Sequence, residues 1–234
     1  RSSSAASDVY KRQGTGSFIP KNKVDNNSFS DKLFFDKDGN EYPNSNDEII
    51  EKFQTITGIK ERRYANKEHK TSDLATFAAQ NAIKDAGIDK ETIDYIIVAH
   101  NFGDIEYGTN QYIALPSVAT MVKHKLDILN ENCVAYDIIF GCPGWIEGVI
   151  QASSFIKSKM AKRCLVIGAD TLSRTIDESD RDSMIFADGA GATIIEENLE
   201  PGGILSHKTI TKAGKEALYL FCLLYTSDAA DEDL

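Results

Sequence analysis

The sequence predicts a layered α/β/α sandwich around a mostly parallel central sheet. Three observations predict it. Runs that are apolar on both faces, such as Tyr95–Ala99 and Arg163–Asp170, read as buried parallel strands. Amphipathic helical patterns alternate with these runs. One run, Cys133–Ile139, breaks at Gly141-Cys142-Pro143-Gly144 and passes directly into a helical pattern.

In chain order, Gly14–Pro20 reads as a short strand entering a turn. The stretch from Lys21 to about Ile50 is polar, with a hairpin expected around Asp36–Asn40. The spacing of Asp36, Asp38 and Asn40 is loosely that of a calcium loop. Gly39 falls at the fourth position instead of the sixth and no Glu closes the loop, so calcium is rejected. Ser72 is expected to cap a helix whose apolar positions Ala75, Phe77, Ala78, Ala82, Ile83 and Ala86 share one face, with Gly87 as its left-handed stop. After the strand Tyr95–Ala99 a second helix is expected from about Gln111 to Lys125, entered irregularly at Pro116. The helix after Cys142 runs to about Lys159. The strands Arg163–Asp170, Ala190–Ile195 and Gly203–His207 close the series, and no internal repeat is visible.

The ends of the chain read differently from its middle. One DNA sequence encodes Ser3–Gln13, and its reverse complement, shifted by one base, encodes Cys222–Glu232. Both resemble a translated sequencing adapter, so residues 1–13 and 222–234 are expected to be disordered scars and are set aside from fold reasoning. The natural part is then 14 to about 221, an internal fragment of a longer gene. The whole chain of 234 residues carries a formal charge of −10, and it stays acidic without its ends. Such a charge does not favour nucleic acid as a partner. No apolar run is long enough to span a bilayer, so no membrane partner is expected. Once Cys222 is set aside, Cys133, Cys142 and Cys164 match neither a disulfide framework nor a zinc site. A cytoplasmic, metal-free protein is the expectation.

Cys142 is the residue with the most chemistry to offer. A thiol at the positive end of a helix macrodipole favours the thiolate, and hence nucleophilic attack. Pro143 suits the first helical position and Gly144 leaves room beside the sulfur. The alternative is a buried, inert cysteine.

Four runs extend that reading. Gly14-Thr-Gly-Ser-Phe-Ile-Pro20, Thr57-Gly-Ile-Lys-Glu-Arg62, the strand–Cys142–helix unit and Phe186-Ala-Asp-Gly-Ala-Gly-Ala192 follow one another as in β-ketoacyl-acyl carrier protein synthase III. The stretch from Gly14 to about Phe221 resembles the N-terminal two-thirds of such an enzyme. The resemblance implies a thiolase-like fold, a homodimer, and Cys142 as the nucleophile. Acyl-CoA would load Cys142, and condensation with malonyl-acyl carrier protein would follow, with release of carbon dioxide, in fatty acid biosynthesis. Acyl-CoA enters as substrate and no cofactor is implied.

The family stabilises the enolate with a His and an Asn from its C-terminal third. His69, His100, His124 and His207 all precede that part, so this fragment is expected to lack condensation activity. His100, at a strand end, is read as structural. Arg181 matches an arginine that contacts coenzyme A, Thr57 a threonine near the adenine, and Leu115 a position that limits the acyl pocket across the dimer interface. The family's adenine-stacking arginine is Ile56 here and its tryptophan falls near Lys52, so coenzyme A recognition is altered or the acyl donor differs. Trp145 is expected in the core, with a pocket-shaping role as the alternative. A condensing enzyme of secondary metabolism and a non-catalytic thiolase-fold partner subunit stay open as other functions. The retained Cys142 argues against the second, and a cysteine hydrolase lacks a matching His and Asp.

Overall fold

The chain is seen in a computed structural model that describes residues 9–36, 39–109, 111–198, 204 and 206–215. Its strands are β1 (Val9–Phe18), β2 (Asn22–Asp25), β3 (Glu61–Tyr64), β4 (Tyr95–His100), β5 (Asp104–Ile105), β6 (Tyr112–Ile113), β7 (Val134–Ile139), β8 (Arg163–Thr171) and β9 (Asp188–Asn198). Its helices are α1 (Asn46–Thr57), α2 (Thr71–Ala86), α3 (Val118–Lys125) and α4 (Gly144–Lys157). The main sheet has the order β1-β9-β8-β4-β7.

That sheet is mixed, which corrects the mostly parallel expectation. β4 runs parallel to both β7 and β8, whereas β9 is antiparallel to β8 and to β1. A parallel crossover needs a long connection, usually a helix. Between β8 and β9 the chain forms only the 3-10 turns Leu172–Arg174 and Arg181–Ile185, and it returns antiparallel.

The layering follows from side-chain alternation. Ile96 and Val98 of β4 face α2 and α3, where they meet Ala75, Ala78, Ala82 and Val122. Ile97 and Ala99 face the other way, towards Val149, Ala152 and Ile156 of α4. A central strand with helices on both sides must be apolar at every position, and the run Tyr95–Ala99 has that composition. Each large aliphatic residue so buried contributes about 2 kcal/mol. The Gly14-Thr15-Gly16 motif serves the same packing. A Cβ at Gly16 would lie 2.2 Å from the Ala78 carbonyl oxygen, and one at Gly14 would lie 2.6 Å from that of Ala82. Only glycine lets β1 approach α2 so closely.

β1 also reaches further back than expected. Val9–Gln13, assigned above to an adapter scar, continue the strand along β9. An antiparallel ladder is made by backbone groups, so a long neighbouring strand can recruit residues of any origin. The register shifts between Arg12 and Gly14, where the scar was expected to end. Residues 1–8 and 222–234 lie outside the described residues.

Several boundaries move. α2 is entered through Lys70, whose N–H donates to Asp73, while the Ser72 N–H and hydroxyl both donate to Asp104. Gly87 stops the helix at φ 65°, as expected. The second helix begins at Val118, because Tyr112–Ile113 pair with Asp104–Ile105 as a small hairpin and Ser117 caps the helix through the Thr120 N–H. A bridge between Phe35 and Glu41 closes the expected hairpin, although Lys37 and Asp38 fall outside the described residues. Ile204, Ser206 and His207 are not in a strand, and Gly203 and Leu205 are outside the description.

Helix α1 was not anticipated, yet its signal is local. Ser45-Asn-Asp-Glu48 forms a capping box and Gly58 ends the helix at φ 71°. α1 closes a separate small cluster of Phe29, Phe34, Ile49 and Met184. Arg62, from the Thr57–Arg62 motif, is buried beside it. Its guanidinium donates to Met184 O and Asn26 Oδ1 and stacks 4.9 Å from the Phe29 ring centre. No helix among the described residues is long and apolar enough to cross a membrane.

Candidate active site

β7 delivers the chain to the C-terminal end of the parallel strands, where Gly141 turns it at φ 69°. Cys142 follows, exposed, and α4 begins at Gly144. Pro143 takes the cap position instead of the expected first helical one, with the Gly144 N–H donating to Gly141 O at 3.0 Å. α4 lies unusually close to the sheet. A Cβ at Gly144 would be 2.9 Å from Ala99 Cβ, and one at Gly148 would be 2.8 Å from Val166 Cγ1. Two glycines one turn apart therefore seat Cys142 over the ends of β4 and β8.

A cavity of about 290 Å³ opens beside the sulfur, with Trp145, Asp170, Leu172, Gly189 and Gly191 among its walls. Trp145 is thus not a core residue. It is 39 % exposed, and its Cβ packs over Gly168, where an added Cβ would meet it at 3.3 Å. A residue three positions after Cys142 lies on the first helical turn, level with the cavity, and not below it. The pocket-shaping alternative describes its position.

Two polar residues of this site went unnoticed in the sequence. Asp170 is the last residue but one of β8 and Asn101 follows β4. The Asn101 N–H donates to Asp170 Oδ1 at 2.9 Å and its Nδ2 donates to Oδ2 at 2.7 Å. Burial pushes the Asp170 carboxyl above the usual carboxylate range, against the pull of those donors. The available signal was a lone acid closing an apolar strand at the end where α/β sheets bind ligands. Asp188, from the Phe186–Ala192 motif, has a structural duty. Its carboxylate accepts from Ala65 N at 2.7 Å, Ser173 N at 2.9 Å and Ser173 Oγ at 2.6 Å.

His100, at the same end of the sheet, and Cys133 and Cys164, at the opposite end, are all buried. The His100 Nε2 lies 2.9 Å from Asp137 Oδ2, with no partner for Nδ1 among the described residues. Asp137 in turn accepts from the Val118 and Ala119 N–H groups and so anchors the start of α3. Burial pushes the Cys133 thiol up to about 11 and the Cys164 thiol up to about 12. Among the described residues no group of His, Cys, Asp or Glu is arranged to hold a metal ion.

The other expected contact residues lie elsewhere. Thr57 closes α1, its hydroxyl donating to Phe53 O and accepting from the Ile59 N–H. The Arg181 guanidinium stacks 4.5 Å from the Tyr42 ring centre, and its Nε is 3.8 Å from Asp182. Phe53 and Tyr42 both pack on the Phe29 cluster, so Thr57 and Arg181 share one small subregion beside the sheet. Leu115 is 85 % exposed, next to the cis proline.

Comparison with known proteins matches this arrangement. The family model for 3-oxoacyl-[acyl-carrier-protein] synthase III matches residues 136–213, a span that includes Cys142. β-Ketoacyl-[acyl-carrier-protein] synthase III of Neisseria meningitidis serogroup C is 41% identical over 197 residues, covering 84% of this chain and 55% of that protein. Synthase III 1 of Vibrio parahaemolyticus is 41% identical over 195 residues, covering 83% and 54%. The crystal structure of 3-oxoacyl-[acyl-carrier-protein] synthase III from Aquifex aeolicus superposes with a TM-score of 0.66 at 34% identity, covering 81% of this chain and 54% of that one. The fold is therefore the layered thiolase-like one. Spanning about half the length of the curated relatives it matches, the chain belongs to the β-ketoacyl-[acyl-carrier-protein] synthase III family.

Proposed function

We propose that Cys142 accepts an acyl group from acyl-CoA, and that in the full-length enzyme this group condenses with malonyl-acyl carrier protein in fatty acid biosynthesis. The observation that carries the reading is an exposed thiol at the head of α4, facing a cavity, inside the region that matches the family. In the loading step the sulfur anion attacks the thioester carbonyl carbon. The bond from that carbon to the coenzyme A sulfur breaks, and coenzyme A leaves as the thiol once protonated. A helix N-terminus favours an anion by about 0.3–1 kcal/mol, and backbone N–H groups there suit the developing oxyanion. The decarboxylative step calls on the family's His and Asn and is assigned to the full-length enzyme.

Arg181 is the proposed contact for the coenzyme A moiety, with Thr57 at its edge, and Leu115 borders the acyl group. Because Ile56 and Lys52 offer no stacking plane, Tyr42 beneath Arg181 supplies the aromatic surface of this subregion. We assign the protein to the cytoplasm and to a homodimer. β7 is an edge strand of the described sheet with Val134 and Ile139 exposed, which suits pairing with a second copy.

The test is acylation itself. Incubation with labelled acyl-CoA should add one acyl mass at Cys142 by peptide mapping, and Cys142→Ala should abolish it. Label that persists in Cys142→Ala, or full-length protein that never acquires it, would overturn the proposal.

A further inference from the structure

We propose that Arg62 is a positioning residue for the acyl donor: its buried guanidinium ties the turn that carries Arg181 to the structure beneath it, and so sets how tightly coenzyme A is held. The inference rests on the Arg181 contact proposed above and adds the residue that fixes it in place. Arg62 is 4 % exposed and does not itself meet the donor. Its Nε donates to Met184 O at 3.0 Å, its Nη1 to Val24 O at 3.3 Å and its Nη2 to Asn26 Oδ1 at 2.8 Å. Those acceptors belong to three separate segments: the 3-10 turn Arg181–Ile185, strand β2 and the 3-10 turn Asn26–Phe29. The same group lies 4.9 Å from the Phe29 ring centre and 5.8 Å from that of Phe53 on α1.

Met184 is three residues after Arg181 in one turn, and its side chain is buried in the Phe29 cluster. The turn's own bonds are short-range. The Asp182 N–H donates to Asp180 Oδ1, the Ser183 N–H to Asp180 O and the Phe186 N–H to Ser183 O. The buried Ser183 hydroxyl has no partner among the described residues, so it does not tie the turn inward. The bond from Arg62 to the Met184 carbonyl does. The other end of the strut is fixed in turn, because Asn26 Nδ2 donates to Ile59 O at 2.9 Å and to Gln54 Oε1 at 3.3 Å. Packing alone does not call for an arginine here, since an apolar side chain of similar volume in a buried charged site is often as stable or more so. All three acceptors are neutral, so the group serves geometry and not charge pairing. A guanidinium is a rigid fork that holds several acceptors in fixed directions, which neither a methionine nor a lysine ammonium supplies.

The test measures coenzyme A binding by calorimetry and acyl-CoA labelling of Cys142, on the whole chain and its variants. Arg62→Met should weaken coenzyme A binding about fivefold and raise half-saturation of labelling by the same factor, with the saturating rate within about twofold of the parent. Arg62→Lys should weaken binding to a similar extent, because charge without the fork does not hold the turn, and it carries the test where Arg62→Met does not fold. Added to Arg181→Ala, Arg62→Met should weaken binding by less than about twofold more, since it acts through Arg181. Circular dichroism and a parental iodoacetamide rate at Cys142 certify that each variant is folded. Parental binding in a folded Arg62→Met or Arg62→Lys, a lowered saturating rate with half-saturation unmoved, or the full fivefold loss on top of Arg181→Ala overturns the strut. Arg181→Ala that binds coenzyme A like the parent overturns the strut and the contact together. Coenzyme A binding that follows these variants while Cys142 takes up no label would overturn the acylation reading alone.

Discussion

The Cys142 end of the sheet and the subregion around Arg181 were both expected to touch the acyl donor, and they are built in different ways. Cys142 is fixed by topology: a parallel strand ends, Gly141 turns, and α4 starts against the sheet through Gly144 and Gly148. Arg181 and Thr57 lie on short elements around a four-residue cluster, with exposed side chains and partners close in sequence or on the surface. The first arrangement leaves few ways to change without losing the fold. The second is held by fewer packed contacts, and Ile56 and Lys52, where the resemblance implies other side chains, lie on the same helix as Thr57. A thiol seated by packing is therefore legible in a single sequence, whereas a surface built from exposed side chains is not.

The largest effect expected is the contrast among the described cysteines. Cys142 is exposed, while Cys133 and Cys164 are buried with thiols pushed up to about 11 and about 12. At pH 8 only roughly a thousandth of Cys133, and less of Cys164, would be thiolate, the species that alkylates. Iodoacetamide in native buffer should therefore modify Cys142 first by orders of magnitude. The fraction of reactive Cys133 and Cys164 rises with pH only as their shifted values are approached, and denaturant should expose both at once. Comparable native rates at Cys133 and Cys142 would contradict the topological seat of the Cys142 thiol.

A smaller effect tests what seats it. Gly148→Leu drives a side chain into Val166 and Ile97, where even a Cβ finds 2.8 Å and 3.4 Å of space. Overpacking of this kind costs about 3 kcal/mol, and lifting α4 should also slow alkylation at Cys142. Chemical denaturation read by circular dichroism measures the first and peptide mapping the second. A stable variant with an unaltered Cys142 rate would show that close approach of α4 is dispensable.

The same division explains what could be read from the sequence. The strands Tyr95–Ala99 and Arg163–Asp170 were legible because a doubly covered strand must be apolar throughout, and the Cys142 junction because turn and helix signals coincide there. The direction of β9 was not legible, since strand composition does not encode whether the connection crosses over. Asn101 escaped because its role depends on Asp170, 69 residues away, across β4 and β8. Helix α1 was missed despite its Ser45–Glu48 capping box, because a polar sequence hid a helix with one buried residue, Ile49.

The smallest effect belongs to the donor surface. One face of the Arg181 guanidinium lies on Tyr42, and its ion pair with Asp182 is long at 3.8 Å, so the group is held as a flat cation and is not neutralised by a close partner. A cation of that kind contributes to binding a phosphate-bearing donor and takes no part in thioester attack. Arg181→Ala should raise the acyl-CoA concentration for half-maximal labelling of Cys142 about tenfold, equivalent to about 1.4 kcal/mol, while the saturating rate stays unchanged. Tyr42→Ala should produce a shift of about threefold, in line with the roughly 0.5–1 kcal/mol of an exposed cation–π contact. Both shifts should shrink at high salt, because exposed charges are screened. If Arg181→Ala instead lowers the saturating rate and leaves half-saturation alone, the two regions are coupled and the division between seat and reader fails.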